Sequence, residues 1–388
     1  MFAQTESLAS KRTWDTSTIN LNRFLSQKFR FFTFVCITFL LFVHGYNLND
    51  TYLTPFSTVH ESLTFTTFTE YFLANGALRF RIPMLFIISG YIFALQDKIP
   101  YPQRIRRRFK TLIIPFFIWS AAGIFITYLW QQFPVTAQAV RDSKLDQLGD
   151  NRPYNEIGWG GVLYRWAVRP PAFHLWFIRS LFIYNALYPV IKWAATKYAT
   201  AWFALVFSFW HTIFSFMFIE GQGLFFFSLG VWLNKSNFPI HKKPDWFSYY
   251  LSWLFFLGIS VIKTFMAFEL DPENSSTFFI LYVLHDISIG AGILAVWFGS
   301  DTVVQWLIEK KWFQWASSFS FIIFALHVPL IHYTTRLAFI YFRDIPNYRL
   351  LIYMTLPVLI LSTCIAAGVL LRKLFPRFYK LATGGRGF

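Results

Sequence analysis

The sequence predicts an all-helical integral membrane protein, a bundle of about ten transmembrane helices with both termini in the cytoplasm. Hydrophobic residues make up 55% of the 388 residues and charged residues only 14%, whereas a soluble domain carries about 25% charged residues. The apolar residues gather into runs that can cross a bilayer, which takes about 20 residues of helix. Most of the 35 Lys and Arg lie in alternate segments between those runs. Such a bias orients membrane proteins with the basic segments in the cytoplasm.

Ten apolar runs are candidate spans, although the sixth is short. They lie at 31–46, 80–96, 111–130, 174–193, 199–219, 222–234, 247–267, 277–298, 314–335 and 350–371. We expect residues 1–30 to form a cytoplasmic N-terminal segment, 31–371 the membrane domain and 372–388 a basic cytoplasmic tail. The longest loops on the opposite side are predicted at 47–79 and 131–173.

The formal net charge of +16 does not indicate nucleic-acid binding. Binding of that kind needs a solvated basic face, whereas here the basic residues separate apolar runs. Membrane lipids are therefore expected partners and nucleic acid is not. The two cysteines, Cys36 and Cys364, lie inside apolar runs and offer neither a disulfide framework nor a zinc-binding pattern. No metal site is predicted.

His44 lies near the outer end of the first apolar run, in FVCITFLLFVHGYN. Polar groups in a membrane helix are costly, so they are candidates for function. One interpretation is an interfacial histidine hydrogen-bonded to a neighbouring helix. The other is a general base, because an unperturbed histidine pKa of about 6.5 suits removal of a hydroxyl proton at neutral pH.

The run YPQRIRRRFKTLIIPFFIW opens the third span with a dense basic cluster. A cluster at a cytoplasmic helix start is typical of a topology signal or of a contact with anionic lipid. Arg104 and Arg107, three residues apart, are predicted to share one helix face. Together they could bind phosphates of a lipid, a nucleotide or coenzyme A.

Further polar groups enter the later spans. His174, Trp176 and Arg179 in PPAFHLWFIRSLFIY are candidate substrate-binding residues, although an interfacial tryptophan and a snorkelling arginine would explain two of them. The ninth span contains further candidates, for which bridging between helices is the favoured interpretation. These are Ser317, Ser318, Ser320, His327 and His332. His285 and Asp286 are expected to form either a self-neutralising pair or a proton relay.

Taken together, these segments resemble the acyltransferase-3 family of integral membrane acyltransferases. In family order they are FVHGYN, RIPMLFIISGYIFAL, YPQRIRRRFKTLIIPFFIW, FHLWFIRSLFIY, LFFFSLGVWLNK and SFSFIIFALHVPLI. They extend from residue 30 to residue 335. No single segment is specific, but their order, their spacing and the ten-span layout together are.

The resemblance implies transfer of an acyl group, usually acetyl, from a cytoplasmic acyl-CoA such as acetyl-CoA to a hydroxyl of a carbohydrate or glycolipid. The family's key histidine corresponds to His44, as a base or as a covalent acyl carrier. Its paired arginines correspond to Arg104 and Arg107, as the donor-binding pair. The family often has an arginine 11 residues before the histidine, where this chain has Thr33. Arg30, one helical turn earlier, is the candidate replacement.

The resemblance also implies a bacterial cell membrane, the inner or plasma membrane, as the location. Two alternatives remain open at this point. One is a transporter or flippase for an anionic or lipid-linked solute, which would also use intramembrane His, Asp and Arg. Against it, the sequence has no internal half-to-half symmetry of the kind that many carriers show. The other is an inactive scaffold with the same fold.

Overall fold

The computed structural model describes residues 23–48, 54–146, 148, 150, 152–216 and 218–387. The predicted N-terminal segment is therefore described only from residue 23 onward. Within the described residues, the structure is almost entirely helical, as the composition predicts, and its two short strands form one hairpin. The fold class of an all-helical membrane protein is confirmed.

Ten helices lie in the first half of the described chain. They are α1 (Arg23–Gly45), α2 (Phe65–Tyr71), α3 (Arg81–Leu95), α4 (Tyr101–Arg108), α5 (Ile114–Trp130), α6 (Pro134–Ser143), α7 (Gly158–Ala167), α8 (Trp176–Ala186), α9 (Tyr188–Lys197) and α10 (Ala199–His211). Two π-helical turns, Phe72–Ala77 and Phe109–Ile113, follow α2 and α4, and a 3₁₀ turn, Phe173–Leu175, precedes α8.

The second half begins with the hairpin of β1 (Ser215–Phe216) and β2 (Ile219–Glu220), which pair antiparallel. The helices that follow are α11 (Gly221–Lys235), α12 (Tyr249–Glu269), α13 (Ser275–Gly299), α14 (Asp301–Ile308), α15 (Lys311–Ser317), α16 (Ser320–Phe342), α17 (Tyr348–Leu374) and α18 (Pro376–Ala382).

Seven helical stretches in the described chain are long and apolar enough to cross a membrane. They are Arg23–Gly45, Phe65–Leu95, Tyr101–Trp130, Tyr249–Glu269, Ser275–Gly299, Ser320–Phe342 and Tyr348–Leu374. The other three predicted spans are shorter helices. The run 174–193 divides into α8 and α9, the run 199–219 ends as α10 followed by the hairpin, and 222–234 is α11. The predicted loops 47–79 and 131–173 also contain helices, namely α2, α6 and α7.

Helix α1 forms the centre of the bundle. Of its most apolar window, 67% is buried inside the protein, whereas α12 and α17 bury only 28% of theirs and lie at the periphery. Phe32, Cys36 and Leu41 on α1 are fully buried. The helix that carries His44 is thus enclosed by the other helices and is not exposed to lipid along that face.

Helices α3 and α11 cross at unusually short distance because glycines meet there. A Cβ atom at Gly90 would lie 2.2 Å from the carbonyl oxygen of Phe227, and one at Gly230 would lie 2.1 Å from that of Ile87. No larger residue fits either position without moving backbone. Small residues commonly permit such close approach between membrane helices.

The two ends of the bundle differ in chemistry. The start of α1 and the last residues of the chain meet at one end, which we call the tail face: Arg30 donates to Ser317, and Arg372 donates to the carbonyl of Gly387. The opposite end, which we call the far face, contains Asn47 just beyond His44. Arg30 and His44 lie toward opposite ends of α1, and at the helical rise about 21 Å of helix separates them.

An arginine at the start of α17 ties the far face together. Arg349 binds the carboxylates of Glu61 and Glu70, at 2.8 Å for the Glu70 contact, and donates to the backbone carbonyl of Asn47. Glu70 is 1% exposed. This cluster holds the chain directly after His44 against α2 and α17.

We predict that Arg349→Ala lowers the melting temperature of the detergent-purified protein, because it leaves the buried Glu70 carboxylate without its cation. Breaking a buried pair in this way costs about 3–5 kcal/mol. The control is Arg343→Ala, since the Arg343 side chain is 75% exposed. The prediction would be contradicted if both variants melted at the wild-type temperature.

Candidate functional site

Four histidines gather where α1 ends. The ring centroid of His44 lies 5.4 Å from that of His327 and 5.7 Å from that of His332, and the ring of His174 lies 4.6 Å from that of His327. Phe173 packs edge-on against His44 with its centroid at 5.2 Å. The rings of His44, His174 and His327 are all buried. The sequence singled out these residues separately, and the fold brings them into one cluster.

A break in α16 explains how two of its histidines reach the same place. His327 and His332 are five residues apart, so in a straight helix their side chains would diverge by about 140°. Val328 has non-helical backbone angles (φ −107°, ψ 131°) just before Pro329. Proline cannot donate the hydrogen bond that an uninterrupted helix requires. The kink redirects the second half of α16 so that both rings pack near His44.

Hydrogen bonds determine which nitrogen of His327 carries a proton. Its Nδ1 lies 2.9 Å from the backbone carbonyl oxygens of both Ile323 and Phe324. A carbonyl oxygen only accepts, so Nδ1 is the donor and Nε2 of the neutral ring holds the lone pair. Nε2 has no hydrogen-bond partner among the described residues. His327, which is 0% exposed, thus presents a basic nitrogen in the interior.

A cavity of about 570 Å³ opens at the tail face, and we call it the arginine cavity. Its charged lining residues are Arg30, Arg108, Arg372 and Arg386. Among the described residues, no Asp or Glu lines it. The interior of the cavity is therefore strongly cationic, and it suits a ligand with several negative charges.

The arginine pair expected to bind the donor lies elsewhere. Arg104 is 4% exposed and forms an ion pair of 2.9 Å with Asp97, while it also donates to the carbonyl of Phe93. Its guanidinium lies 4.6 Å from the ring centroid of Tyr188. Arg107 is exposed. Neither lines the arginine cavity, whereas the candidate Arg30 does, and so does Arg108, which the sequence did not distinguish within the cluster.

Asp97 is the centre of an ion-pair network on the tail face. Besides Arg104, it accepts from Lys192 at 2.8 Å, Lys235 at 2.6 Å and Tyr188 at 2.7 Å. Burial raises the pKa of the Asp97 carboxyl, but hydrogen bonds from Lys192, Lys235 and Tyr188 outweigh it and hold the pKa well below its usual range. The network joins the ends of α3, α4, α9 and α11.

Two further cavities meet at His44. One, which we call the aromatic cavity, has a volume of about 250 Å³, and the other, the far cavity, about 350 Å³. The aromatic cavity is lined among others by His174, Trp176, Trp210, Glu220 and His285, and the far cavity by Asn47, Lys144, His332, Thr335 and Arg336. Both include His44 and Phe173. His44 therefore forms part of the boundary between them.

Two phenylalanines separate the aromatic cavity from the arginine cavity. Phe177 and Phe324 line both, and their ring centroids are 5.9 Å apart in an edge-to-face arrangement. The cavities thus form a series from the tail face to His44. Phe177 and Phe324 are the lining residues that the two cavities share.

The three candidate substrate residues, one in the 3₁₀ turn before α8 and two on α8, separate in the fold. His174 and Trp176 line the aromatic cavity beside His44. Arg179 lines none of the cavities described above. It donates to the carbonyl of Val168, and its guanidinium lies 4.4 Å from the ring centroid of Phe218.

The expected pairing of His285 with Asp286 is wrong. Adjacent residues of a helix point in different directions, and here each has another partner. His285 Nδ1 lies 3.0 Å from Nζ of the fully buried Lys263, whereas Asp286 lies 3.2 Å from Nδ1 of His211. Lys263 also donates to the carbonyl of Asn75 at 2.6 Å. His285 lines the aromatic cavity, and Asp286 does not.

No group of three or more His, Cys, Asp or Glu in the described part of the chain is arranged to hold a metal ion. Comparison with known proteins then decides the family. The family profile described as "Acyltransferase domain" matches residues 26–371, which is nearly the whole chain. The chain belongs to the acyltransferase-3 family. It is accordingly an O-acyltransferase, and the transporter and flippase alternatives are set aside.

One curated relative of this acyltransferase-3 protein is the Succinoglycan biosynthesis protein ExoH of Rhizobium meliloti (strain 1021). The two are 25% identical over 321 residues, which cover 81% of each chain. No solved structure matches significantly.

The different environments of Arg104 and Arg107 predict different effects of substitution. Arg104→Ala removes the guanidinium that joins Asp97 to the carbonyl of Phe93, so the free energy of unfolding should fall by roughly 1–3 kcal/mol. Arg107→Ala, on the exposed side of the same helix, should leave the melting temperature unchanged. The measurement is thermal unfolding of both variants in detergent. Equal losses in the two would show that Arg104 has no special structural role.

Proposed function

We propose that this acyltransferase moves an acyl group, normally acetyl, from a cytoplasmic acyl-CoA to a hydroxyl of a carbohydrate or glycolipid. The observation that carries the proposal is the series of cavities: a cationic cavity at the tail face, the pair Phe177 and Phe324, and then His44. A donor with a phosphate-bearing head and a long thioester arm fits that order. The acceptor then reaches His44 from the other side.

The donor's phosphates are assigned to the arginine cavity. Arg30, Arg108 and Arg372 line it from α1, α4 and α17, and guanidinium groups form short, charge-assisted hydrogen bonds with phosphate oxygens. This assignment replaces the one to Arg104 and Arg107. The ion pair of Arg104 with Asp97 and the exposure of Arg107 support the change.

The thioester is expected to reach His44 past the rings of Phe177 and Phe324. The helix between Arg30 and His44 measures about 21 Å, so only an extended arm bridges the two ends. Displacement of the two rings would join the cavities without breaking any hydrogen bond, since phenylalanine side chains make none. Enclosure by apolar side chains also excludes water, which would otherwise hydrolyse the thioester.

The chemistry assigned to His44 is that of a general base. Its imidazole takes the proton of the acceptor hydroxyl while the hydroxyl oxygen bonds to the thioester carbon. The carbon–sulfur bond then breaks, and the proton passes from His44 to the departing thiolate. His327 and His332 pack against His44 and supply further nitrogen atoms beside it. A covalent acyl-histidine is the alternative route through the same residue.

The aromatic and far cavities are assigned to the acceptor. Trp176 and Phe173 offer ring faces, while His174 and Glu220 offer polar atoms, a combination that suits a polyol. The relative's name places it in succinoglycan biosynthesis, which supports a glycan acceptor. We assign substrate contacts to His174 and Trp176, and not to Arg179, whose contacts lie outside these cavities.

We further propose ten spans with both termini in the cytoplasm of a cell's inner or plasma membrane. The short helices α8, α10 and α11 would complete the set with the seven long ones. The basic character of the tail face supports this orientation, because cytoplasmic segments carry the excess of Lys and Arg. An acyl-CoA donor from the cytoplasm would then meet the arginine cavity directly.

The orientation predicts which positions react with a membrane-impermeant thiol reagent. Single cysteines at His241 and Phe378 should be labelled only after the membrane is opened, and a cysteine at Lys144, an exposed residue of the loop predicted at 131–173, should be labelled in intact cells. The background is Cys36→Ala with Cys364→Ala, although both native cysteines are buried. Labelling of the Lys144 position only after opening would reverse the assignment.

The role of His44 predicts a distinctive pattern of substitutions. His44→Ala and His44→Gln should both lower acceptor-dependent release of coenzyme A from acetyl-CoA by about 10²–10⁴-fold, as removal of a general base does. Expression and membrane insertion should be unchanged. His60→Ala is the matched control, because His60 is an exposed histidine of the far face.

The glutamine variant decides between chemistry and packing. Glutamine replaces a hydrogen bond but cannot take a proton, so near-normal turnover in His44→Gln would refute the base assignment. A burst of coenzyme A release without acceptor in the wild type, absent from the variant, would indicate the covalent route.

A further inference from the structure

The last residues of the chain are built into the bundle at the tail face. On α18, Tyr379 and Ala382 are fully buried, and the indole nitrogen of Trp119 donates to the carbonyl of Ala382 at 2.8 Å. The basic C-terminal segment, expected from the sequence as a cytoplasmic tail, therefore docks on α5. Its position is set by packing and not by charge alone.

Glycines then turn the chain back toward the bundle. Gly384 and Gly387 have positive φ angles of 61° and 71°, a region that other residues rarely adopt. A Cβ at Gly384 would lie 2.7 Å from backbone atoms of Thr111, and one at Gly387 would lie 2.0 Å from the carbonyl oxygen of Ser318. Glycine at these two positions of the sequence GGRG thus allows the tail backbone to approach Thr111 and Ser318 closely, which no residue with a Cβ atom would permit.

This turn directs Arg386 into the arginine cavity. Its Nη1 donates to the carbonyls of Thr111 at 2.8 Å and Thr383 at 3.1 Å, and its guanidinium lies 4.8 Å from the ring centroid of Phe321. Its Nε and Nη2 make no hydrogen bond with the described residues. Burial lowers the pKa of Arg386 to about 10, so the side chain stays charged at neutral pH.

The surroundings of Arg386 favour a bound anion. Arg30, Arg108 and Arg372 line the same cavity, and no carboxylate of the described chain lines it. Arg372 also donates to the carbonyl of Gly387 at 3.2 Å and so links α17 to the tail. Like charges confined together in a partly desolvated site repel one another, and phosphate groups of a ligand would offset that repulsion.

We infer that the C-terminal tail is part of the donor site, with Arg386 binding a phosphate group of the acyl-CoA. The inference rests on the proposed function and extends it to a segment outside the membrane domain. The acyl group itself lies beyond reach of Arg386, since it must extend toward His44. The tail therefore discriminates by the donor's phosphates and not by its thioester.

Paired ligands test this assignment in the purified full-length protein. Arg386→Ala should weaken binding of acetyl-CoA, measured by calorimetry, by about ten-fold or more, as loss of one charge-assisted hydrogen bond does. The variant should weaken the binding of adenosine 3′,5′-bisphosphate to a similar extent. The binding of acetyl-pantetheine, which lacks those phosphates, should be unchanged. Arg386→Lys should recover part of the loss. Arg377→Ala, an exposed arginine of α18, is the control.

Each result bears on the inference. The inference would be overturned if Arg386→Ala weakened the binding of acetyl-CoA and of acetyl-pantetheine equally, or weakened neither. It would also be overturned if the wild-type protein bound neither acetyl-CoA nor the bisphosphate. If phosphatidylglycerol in the detergent micelle displaces the bisphosphate from wild type but not from Arg386→Ala, a lipid headgroup occupies the site and the donor assignment fails. Bisphosphate binding that depends on Arg386, without turnover of acetyl-CoA, would support the tail site and count against the proposed acyl donor.

Discussion

Every charged side chain inside this bundle must find its partner within the protein, because hydrocarbon offers no hydrogen bonds. The consequences are visible at both faces. Asp97 gathers a tyrosine, an arginine and two lysines, and Arg349 gathers two carboxylates and the carbonyl of Asn47. These clusters join helix ends that are distant in sequence. The space between the helices, and hence the series of cavities, depends on them.

The arginine cavity differs from these ion-pair clusters, because it gathers several arginines without a carboxylate among its described lining residues. Four arginines line the cavity, and no carboxylate of the described residues does. By contrast, Arg104 nearby and Arg349 on the opposite face are each paired with a carboxylate. A cationic site left open by the fold suits a ligand that supplies its own negative charge. The acyl-CoA donor proposed above is a ligand of this kind.

His44 depends on two features of its neighbours for its environment. The kink at Val328 brings His327 and His332 beside its ring, and the 3₁₀ turn Phe173–Leu175 packs Phe173 against His44 and His174 against His327. The result is a group of imidazoles at the meeting point of two cavities. An acceptor and an extended thioester could approach such a point from opposite faces without sharing a path.

Hydropathy and charge bias can be read along the chain, so the sequence alone determined the helical membrane fold, the main apolar spans and the family. It also pointed to His44 as the candidate catalytic residue. Only the tertiary structure decided which arginines line the cavity. The R-x-x-R spacing favoured Arg104 and Arg107, but Asp97, seven residues before Arg104, neutralises the first. Arg108 and Arg386 line the cavity instead. No local sequence pattern revealed their position. Whether an arginine is neutralised or faces a cavity depends on the side chains that other helices bring beside it.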